Sequence, residues 1–308
     1  MFDYVGKRKI FFTISIVLVA LCVVFLAVFG AHLDIQFKGG SIVTYNYSGD
    51  IDLVQVQKTI EEITGQRVSV QAGSNAATGS VNFTASLSGM QGISPEMQIS
   101  ITEKLNELFP DAALEVVSIN NVDATIGKEF FQKSLVAMIF AGLMMIVYIG
   151  IRFKNIGGWS AGCMAMVALL HDVMVVFAVF VLFRIPINDN FIAVVLTILG
   201  CSINDTIVIY DRIRENERLA KGGKINLGEL VNLSINQSLS RAFFTTLTIV
   251  MAMLVVAVIG YMYQINTIVT FAFPMVMGMI SGCYSSVCLS GPLWVMWEER
   301  KSKKGAKH

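Results

Sequence analysis

Asp205 lies inside an apolar run. The stretch 199–216, LGCSINDTIVIYDRIREN, completes a hydrophobic segment that begins near Phe191, and charge returns only from Asp211 onward. A carboxylate near the middle of a membrane-crossing helix costs about 2.5–3.5 kcal/mol to insert, so it needs a partner or a task. Thr197, Cys201, Asn204 and Asp205 follow at i, i+4, i+7 and i+8, which makes one polar stripe. Thr206 adds a hydroxyl beside the carboxylate. In the next apolar run Arg241, Thr245 and Thr248 repeat the pattern at i, i+4 and i+7, and Arg241 falls at the same depth as Asp205. A neighbouring cation favours the ionised carboxylate while an apolar setting favours the neutral acid, a balance suited to a group that takes up and releases a proton in turn. His171 and Asp172 stand near the middle of another apolar run, where a histidine that titrates near neutral pH can extend a relay. Plainer readings stand beside these. Arg241 can snorkel to the interface, His171 can be a packing residue, and either aspartate can be a static interhelical acceptor. Sodium suits the same carboxylates and hydroxyls as a proton does.

The elements that must position these residues follow from hydropathy. The chain has 308 residues, 55% hydrophobic and only 15% charged, with a mean hydropathy of +0.66; soluble domains carry about 25% charge. A helix needs about 20 apolar residues to cross a bilayer core of about 30 Å. Six runs qualify: 10–29, 131–151, 158–183, 190–210, 243–262 and 267–297, the last with Pro274 and Pro292 as places to kink or stop. The first is too long for a signal-peptide core and has no A-x-A site after it, so it reads as an uncleaved anchor. With the N-terminus inside, Lys7, Arg8, Lys9, Arg152, Lys154, the cluster Arg212 to Lys224 and the tail Arg300 to Lys307 all fall on one face, and positive-inside bias makes that face cytoplasmic. Both termini are then cytoplasmic. Asp211 to Glu217 reads as a charged helix end at the headgroup level, and Leu227, Leu230, Val231 and Leu239 as a short amphipathic helix within a cytoplasmic loop 211–242.

The long segment on the other face has its own order. IQFKGGSIVTYNY reads as a strand, DLVQVQKTIEEIT as a helix capped by Asp50 or Asp52, and RVSVQA and SVNFTASLS as strands around the turn SNAATG. SPEMQISITEKLNELF begins with Ser94 as cap and Pro95 at the first helical position, and LEVVSI closes the set. The order β-α-β-β-α-β is that of a ferredoxin-like split βαβ domain. The expected fold class is therefore a polytopic α-helical membrane protein with six transmembrane helices and an extracytoplasmic α+β ferredoxin-like domain between the first two. The expected division is 1–30 for the N-terminus and first span, 31–130 for the external domain, 131–297 for spans two to six, and 298–308 for a basic tail.

Other chemistries find little support. The five cysteines lie in apolar runs without metal-ligand spacing and read as small buried hydrophobes. Gly222-Gly223-Lys224 lacks the Walker spacing, no basic run interleaved with aromatics suggests nucleic acid, and no nucleophile–base set suggests an enzyme. Gly158/Gly162 and Gly278/Gly282 are G-x-x-x-G pairs that mark close helix packing.

Four blocks in order, FKGG at 37–40, ALLHD at 168–172, SINDTIVIYDRIREN at 202–216 and SLSR at 238–241, resemble the SecF family of bacterial protein-export subunits, within the resistance-nodulation-division superfamily. The resemblance spans essentially the whole chain. It implies that the partner SecD supplies six further spans, and that the pair uses the proton-motive force to help the SecYEG channel and SecA motor move a polypeptide across the cytoplasmic membrane. It implies proton-pathway roles for Asp205 and Arg241, no cofactor besides the ion gradient, and a structural role for Phe37, Lys38, Gly39 and Gly40. LDIQFKGG departs from the family's usual Gly-Ile-Asp-Phe-Lys-Gly-Gly, which leaves Lys38, Gly39 and Gly40 in place but puts the preceding strand in question. Two rivals remain at this point: half of a small-molecule or lipid transporter, and a docking factor that transports nothing.

Overall fold

The first membrane-length helix, α1 (Arg8–Phe29), ends at Gly30, and its exit is tied back by a parallel bridge between Leu33 and Ile187. The computed structural model describes residues 2–49, 51–66, 68–75, 80–87, 93–220, 226–263 and 265–305. Asp34 caps a single turn, α2 (Ile35–Lys38), by accepting from the Gln36 N–H. The strand expected from Ile35 therefore starts only at Gly40, because a capped turn and two glycines intervene. Gly39 and Gly40 have φ of +79° and +142°, and a Cβ at Gly40 would strike the Leu87 carbonyl, so only glycine fits the corner.

Beyond the corner run β1 (Gly40–Tyr47), α3 (Leu53–Thr64), β2 (Val68–Asn75), β3 (Ser80–Leu87), α4 (Pro95–Leu108) and β4 (Glu115–Val122). The four strands form one antiparallel sheet in the order β2-β3-β1-β4. Asp52 and Ser94 cap the two helices, whereas Asp50 and most of the SNAATG turn lie outside the described residues. Val43, Tyr45, Phe83, Ala85 and Leu87 alternate inward from the strands onto Val56, Ile60, Ile101 and Leu105 of the helices. Tyr45 and Phe83 stack at 5.1 Å on neighbouring strands.

Asp123 alone separates β4 from α5 (Ala124–Arg152), which starts well before the apolar run itself. The remaining helices are α6 (Gly158–Leu182), α7 (Asp189–Leu219), α8 (Leu227–Met262), α9 (Asn266–Ser285), a π-helical turn Ser286–Ser290 and α10 (Gly291–Gly305). Among the described residues six helical segments are long and apolar enough to cross a membrane, α9, the π turn and α10 together making the sixth. The protein is a multi-pass membrane protein. Pro274 is held inside α9; the irregularity falls at the π turn, which ends two residues before Pro292, the other expected place.

The described residues of the loop expected over 211–242 are almost all helical. Helix α7 runs through Leu219 and α8 starts at Leu227, capped by Asn226, so the predicted amphipathic helix is the first part of a 36-residue helix. At 1.5 Å per residue α7 and α8 are about 46 and 54 Å long, well beyond a 30 Å core. The overhangs persist because they pack on each other: Asn216 Nδ2 donates to Ser234 Oγ at 2.9 Å and to Gln237 Oε1 at 2.8 Å. The segment Gly222-Gly223-Lys224 lies outside the described residues.

Contacts fix which ends lie together. The Phe2 N–H donates to Asn236 Oδ1, Arg8 pairs with Glu299 at 3.2 Å, and Arg152 pairs with Asp211 at 3.0 Å. Both chain ends therefore share one end of the bundle with the α5–α6 turn and the α7 and α8 overhangs. The sheet lies at the other end. Within the bundle half of the α6 and α7 spans is buried, against about a tenth of α1, so α6, α7 and α9 form the centre and α1, α5 and α8 the flanks.

Candidate functional site

Asp172, on α6, is completely buried, with 0% of its surface exposed. Its carboxylate is met from two other helices. Ser281 Oγ donates to Oδ1 at 2.8 Å; Ser285 and Ser202 donate to Oδ2 at 2.6 and 3.0 Å. His171 Nδ1 lies 3.3 Å from Oδ1, while its Nε2 is buried without a partner. In a membrane core each unmet polar group is costly. Asp172 thus binds α6, α7 and α9 at one point. Gly282 makes room for it, since a Cβ there would stand 3.3 Å from Ser202 Cβ and 3.8 Å from Asp172 Oδ2.

The hydroxyls continue past Asp172. Ser202 and Ser286 Oγ lie 3.2 Å apart, Ser286 Oγ donates to the Ser202 carbonyl at 3.0 Å, and Thr206 Oγ1 donates to Ser286 Oγ at 3.2 Å. Ser286 opens the π turn and Ser290 closes it, donating to the Ser286 carbonyl. Ser285, the residue before the turn, meets Asp172 and Ser286, its first residue, meets α7, and π turns of this kind favour functional sites. Thr206 is the neighbour of Asp205, so an unbroken hydroxyl chain runs from one carboxylate to the residue beside the other.

Asp205 differs from Asp172 in every respect but burial. It is 6% exposed and accepts no hydrogen bond among the described residues. The stripe expected around it divides. Ser202, Asp205 and Thr206 face inward, Cys201 is half-buried, and Thr197 and Asn204 are exposed, Thr197 spending its hydroxyl on the Ala193 carbonyl. On α8, Arg241, Thr245 and Thr248 are all exposed, and Arg241 makes no ion pair among the described residues. Asp205 therefore sits at the edge of a polar membrane face that the chain leaves open.

The FKGG block lies far from these groups, at the joint between sheet and helices. Phe37 is buried against Phe130 and Phe131, with ring centroids 5.7 and 5.1 Å away. A Cβ at Gly127 would stand 3.0 Å from the Gln36 carbonyl, so α5 begins pressed against this turn. Lys38 points outward.

The serines were missed in the sequence. Ser281, Ser285, Ser286 and Ser290, spaced i, i+4, i+5 and i+9 in an otherwise apolar run, were the available signal.

These features define a class: a polytopic membrane protein with one satisfied and one unsatisfied carboxylate inside its bundle and a polar flank left uncovered. Residues 100–300 match the family model described as protein export membrane protein SecD/SecF, C-terminal. The protein translocase subunit SecF of Alicyclobacillus acidocaldarius is 33% identical over 309 residues, covering 99% of this chain and 96% of the relative. The SecF of Calditerrivibrio nitroreducens is 32% identical over 97% of this chain. The SecDF of Bacillus subtilis is 29% identical over 98% of this chain, which spans 39% of that longer protein. The crystal structure of SecDF from Thermus thermophilus, a translocon-associated membrane protein, superposes with a TM-score of 0.79 at 27% identity, covering 97% of this chain and 39% of that one. The SecDF structure in a super-membrane-facing form gives 0.69. The chain belongs to the SecD/SecF family of protein export membrane proteins.

Proposed function

We propose that this chain is the SecF half of a SecD–SecF pair in a bacterial cytoplasmic membrane, with both termini in the cytoplasm. It acts as a transport subunit without enzymatic activity. The sheet and its two helices form a ferredoxin-like domain on the outer side. The pair uses the proton-motive force to assist polypeptide movement driven by SecYEG and SecA, with sodium as the other ion that carboxylates and hydroxyls can serve.

The observation that carries this reading is Asp205: buried, without a hydrogen bond among the described residues, and bordering an open polar face made by Thr197, Asn204, Arg241, Thr245 and Thr248. Lipid does not satisfy such a face. A second six-helix half covers it, and the relatives named SecDF carry a chain of more than twice this length. Asp205 takes up and releases the proton, Arg241 supplies the opposing charge once the halves close, and Asp172 with His171 holds the frame that the hydroxyl chain links to it. One proton crossing 100 mV releases about 2.3 kcal/mol, enough to bias a two-state element roughly fortyfold.

The test is export of a secreted reporter in cells depleted of this protein and complemented with wild type or Asp205→Asn, with and without an uncoupler. Asp205→Asn keeps shape but not titration, so it inserts and binds its partner while export falls to the depleted level and ceases to respond to the uncoupler. Full export by the inserted variant would leave a docking factor as the better account.

A further inference from the structure

Where α5 ends and α7 leaves the membrane core, Arg152, Asp211, Arg214, Glu215, Arg218 and Leu219 line an open cavity of about 460 Å³, within the range of small-ligand sites. It belongs to none of the machinery described above. Its depth is fixed by the helices. About 20 residues of α7 from Asn190 cross the core, so Asp211 stands at the boundary and Arg214 and Arg218 occupy the next two turns. Arg152 is the last residue of α5. All three guanidiniums therefore lie at the level of lipid headgroups.

Two of them are held in place. The Arg152 and Arg214 guanidiniums sit over the ring of fully buried Phe153, at 5.4 and 5.9 Å from its centroid. Asp211 Oδ1 lies 3.0 Å from Arg152 and 3.2 Å from Arg214 but accepts an aligned hydrogen bond from neither. Glu215 is engaged by a fourth arginine, Arg212, at 2.6 Å. Arg152 also donates to Asp211 Oδ2, at 3.4 Å. Three arginines against two acids leave the lining cationic, and Arg218 is the guanidinium there without an ion pair among the described residues. A phosphate oxygen pair matches that fork.

The surface below the cavity adds the second half of a ligand. Met144, Tyr148 and Arg152 are spaced four apart on α5; exposed Met144 and Tyr148 lead from the lipid core to half-buried Arg152, with exposed Ile151 beside them. We propose that this site binds an anionic phospholipid: its phosphate in the Arg152–Arg214–Arg218 cavity and an acyl chain along Met144 and Tyr148. The leaflet is the one at the end shared by the chain termini, the cytoplasmic leaflet in the orientation proposed above. The bound lipid tethers the α5 end to the α7 overhang; Asp205 lies on the same helix, less than two turns before Asp211.

The full chain, with any partner that co-purifies, is reconstituted into nanodiscs of phosphatidylcholine, and retention of labelled phosphatidylglycerol is measured. Specific retention is expected, weakened about fivefold for each arginine removed. Arg218→Gln is the primary variant, because no ion pair among the described residues is lost with it; Arg152→Lys/Arg214→Lys tests whether the fork matters beyond charge and is expected to weaken retention less than Arg152→Gln/Arg214→Gln. Inorganic phosphate and soluble glycerophosphate form the competing arms. Displacement by either at the concentration of the lipid assigns the cavity to a soluble phosphate and overturns the lipid. Equal retention of phosphatidylcholine, unchanged retention by Arg218→Gln, or retention lost when the partner chain is bound also overturns the proposal. The readout is lipid binding and not export, so it stands or falls apart from the role given to Asp205.

Discussion

Two aspartates in one bundle have opposite environments, and that difference predicts opposite responses to mutation. Asp172 is met by three serine hydroxyls at 2.6 to 3.0 Å. Interhelical hydrogen bonds in membranes average only about 0.6 kcal/mol, with a maximum near 1.7. Ser285→Ala is therefore expected to cost about 1–2 kcal/mol in a detergent-unfolding titration, and Asp172→Ala more, since it strands three donors at once. Asp205 accepts no hydrogen bond among the described residues, so Asp205→Asn is expected to leave stability unchanged or raised while export is lost. A stability loss for Asp205→Asn as large as that for Asp172→Ala would show that Asp205 is a structural group. If Asp205 and Arg241 work as a pair in the assembled complex, the export losses of Asp205→Asn and Arg241→Ala will not add, and Arg241→Lys will be milder than Arg241→Ala.

Helix packing here is set by small residues at contact points. A Cβ at Gly158 would stand 2.6 Å from the Gly150 carbonyl and 2.7 Å from the Phe153 carbonyl carbon, all backbone, whereas one at Gly162 would stand 3.2 Å from the Ile146 carbonyl. Gly158→Ala must therefore push α5 and α6 apart and is expected to cost about 1–3 kcal/mol, clearly more than Gly162→Ala; equal losses would mean that the α5–α6 contact yields elsewhere. The α8 overhang holds the N-terminal segment through two asparagines one turn apart. Asn232 Oδ1 accepts from the N–H groups of Tyr4 and Val5, its Nδ2 donates to Asp3 Oδ1 at 2.6 Å, and Asn236 exchanges bonds with both backbone groups of Phe2. The Gly6 N–H, and then Asn232, hold the Asp3 carboxyl below its ordinary value. A depressed carboxylate adds stability above its unfolded pKa and loses it as pH falls through the folded one. The segment should therefore become more open to protease as pH drops through and below the usual carboxylate range, and Asn232→Ala should make it open at neutral pH. A pH-independent cleavage rate in the wild type would remove Asp3 from the anchor.

At the scale of the molecule, one polar flank is open and one small α/β layer stands apart on its own core. The flank predicts that the chain co-purifies with a SecD-like protein in mild detergent; a stable, active homo-oligomer lacking any such protein would contradict this. The sheet carries a core of its own, Val43, Tyr45, Phe83 and Leu87 against Val56, Ile60, Ile101 and Leu105. Residues 31–126 expressed alone are therefore expected to be soluble and to show mixed helix and strand by circular dichroism, with Phe37 newly exposed because Phe130 and Phe131 are left behind. A random-coil spectrum would mean that the sheet depends on the membrane helices.

Six membrane-length helices were legible because hydropathy is local and additive: about 20 apolar residues meet the requirement wherever they lie. The caps Asp52 and Ser94 were legible for a similar reason, since a cap acts within three residues. The helical overhangs past the membrane surface were not. The charged residues 211–217 read as a helix end, but did not show that α7 and α8 pack on each other past the core, where Asn216 meets Ser234 and Gln237 and Arg212 meets Gln237. Asp205 announced itself as an isolated charge in an apolar run, yet whether it was paired, and with what, depended on the angle between helices. The nest around Asp172 required donors 30, 109 and 113 residues away, on two other helices. Helical period marks which residues share a stripe, but only the packing of α6, α7 and α9 decided which stripes met each other and which was left open toward a partner.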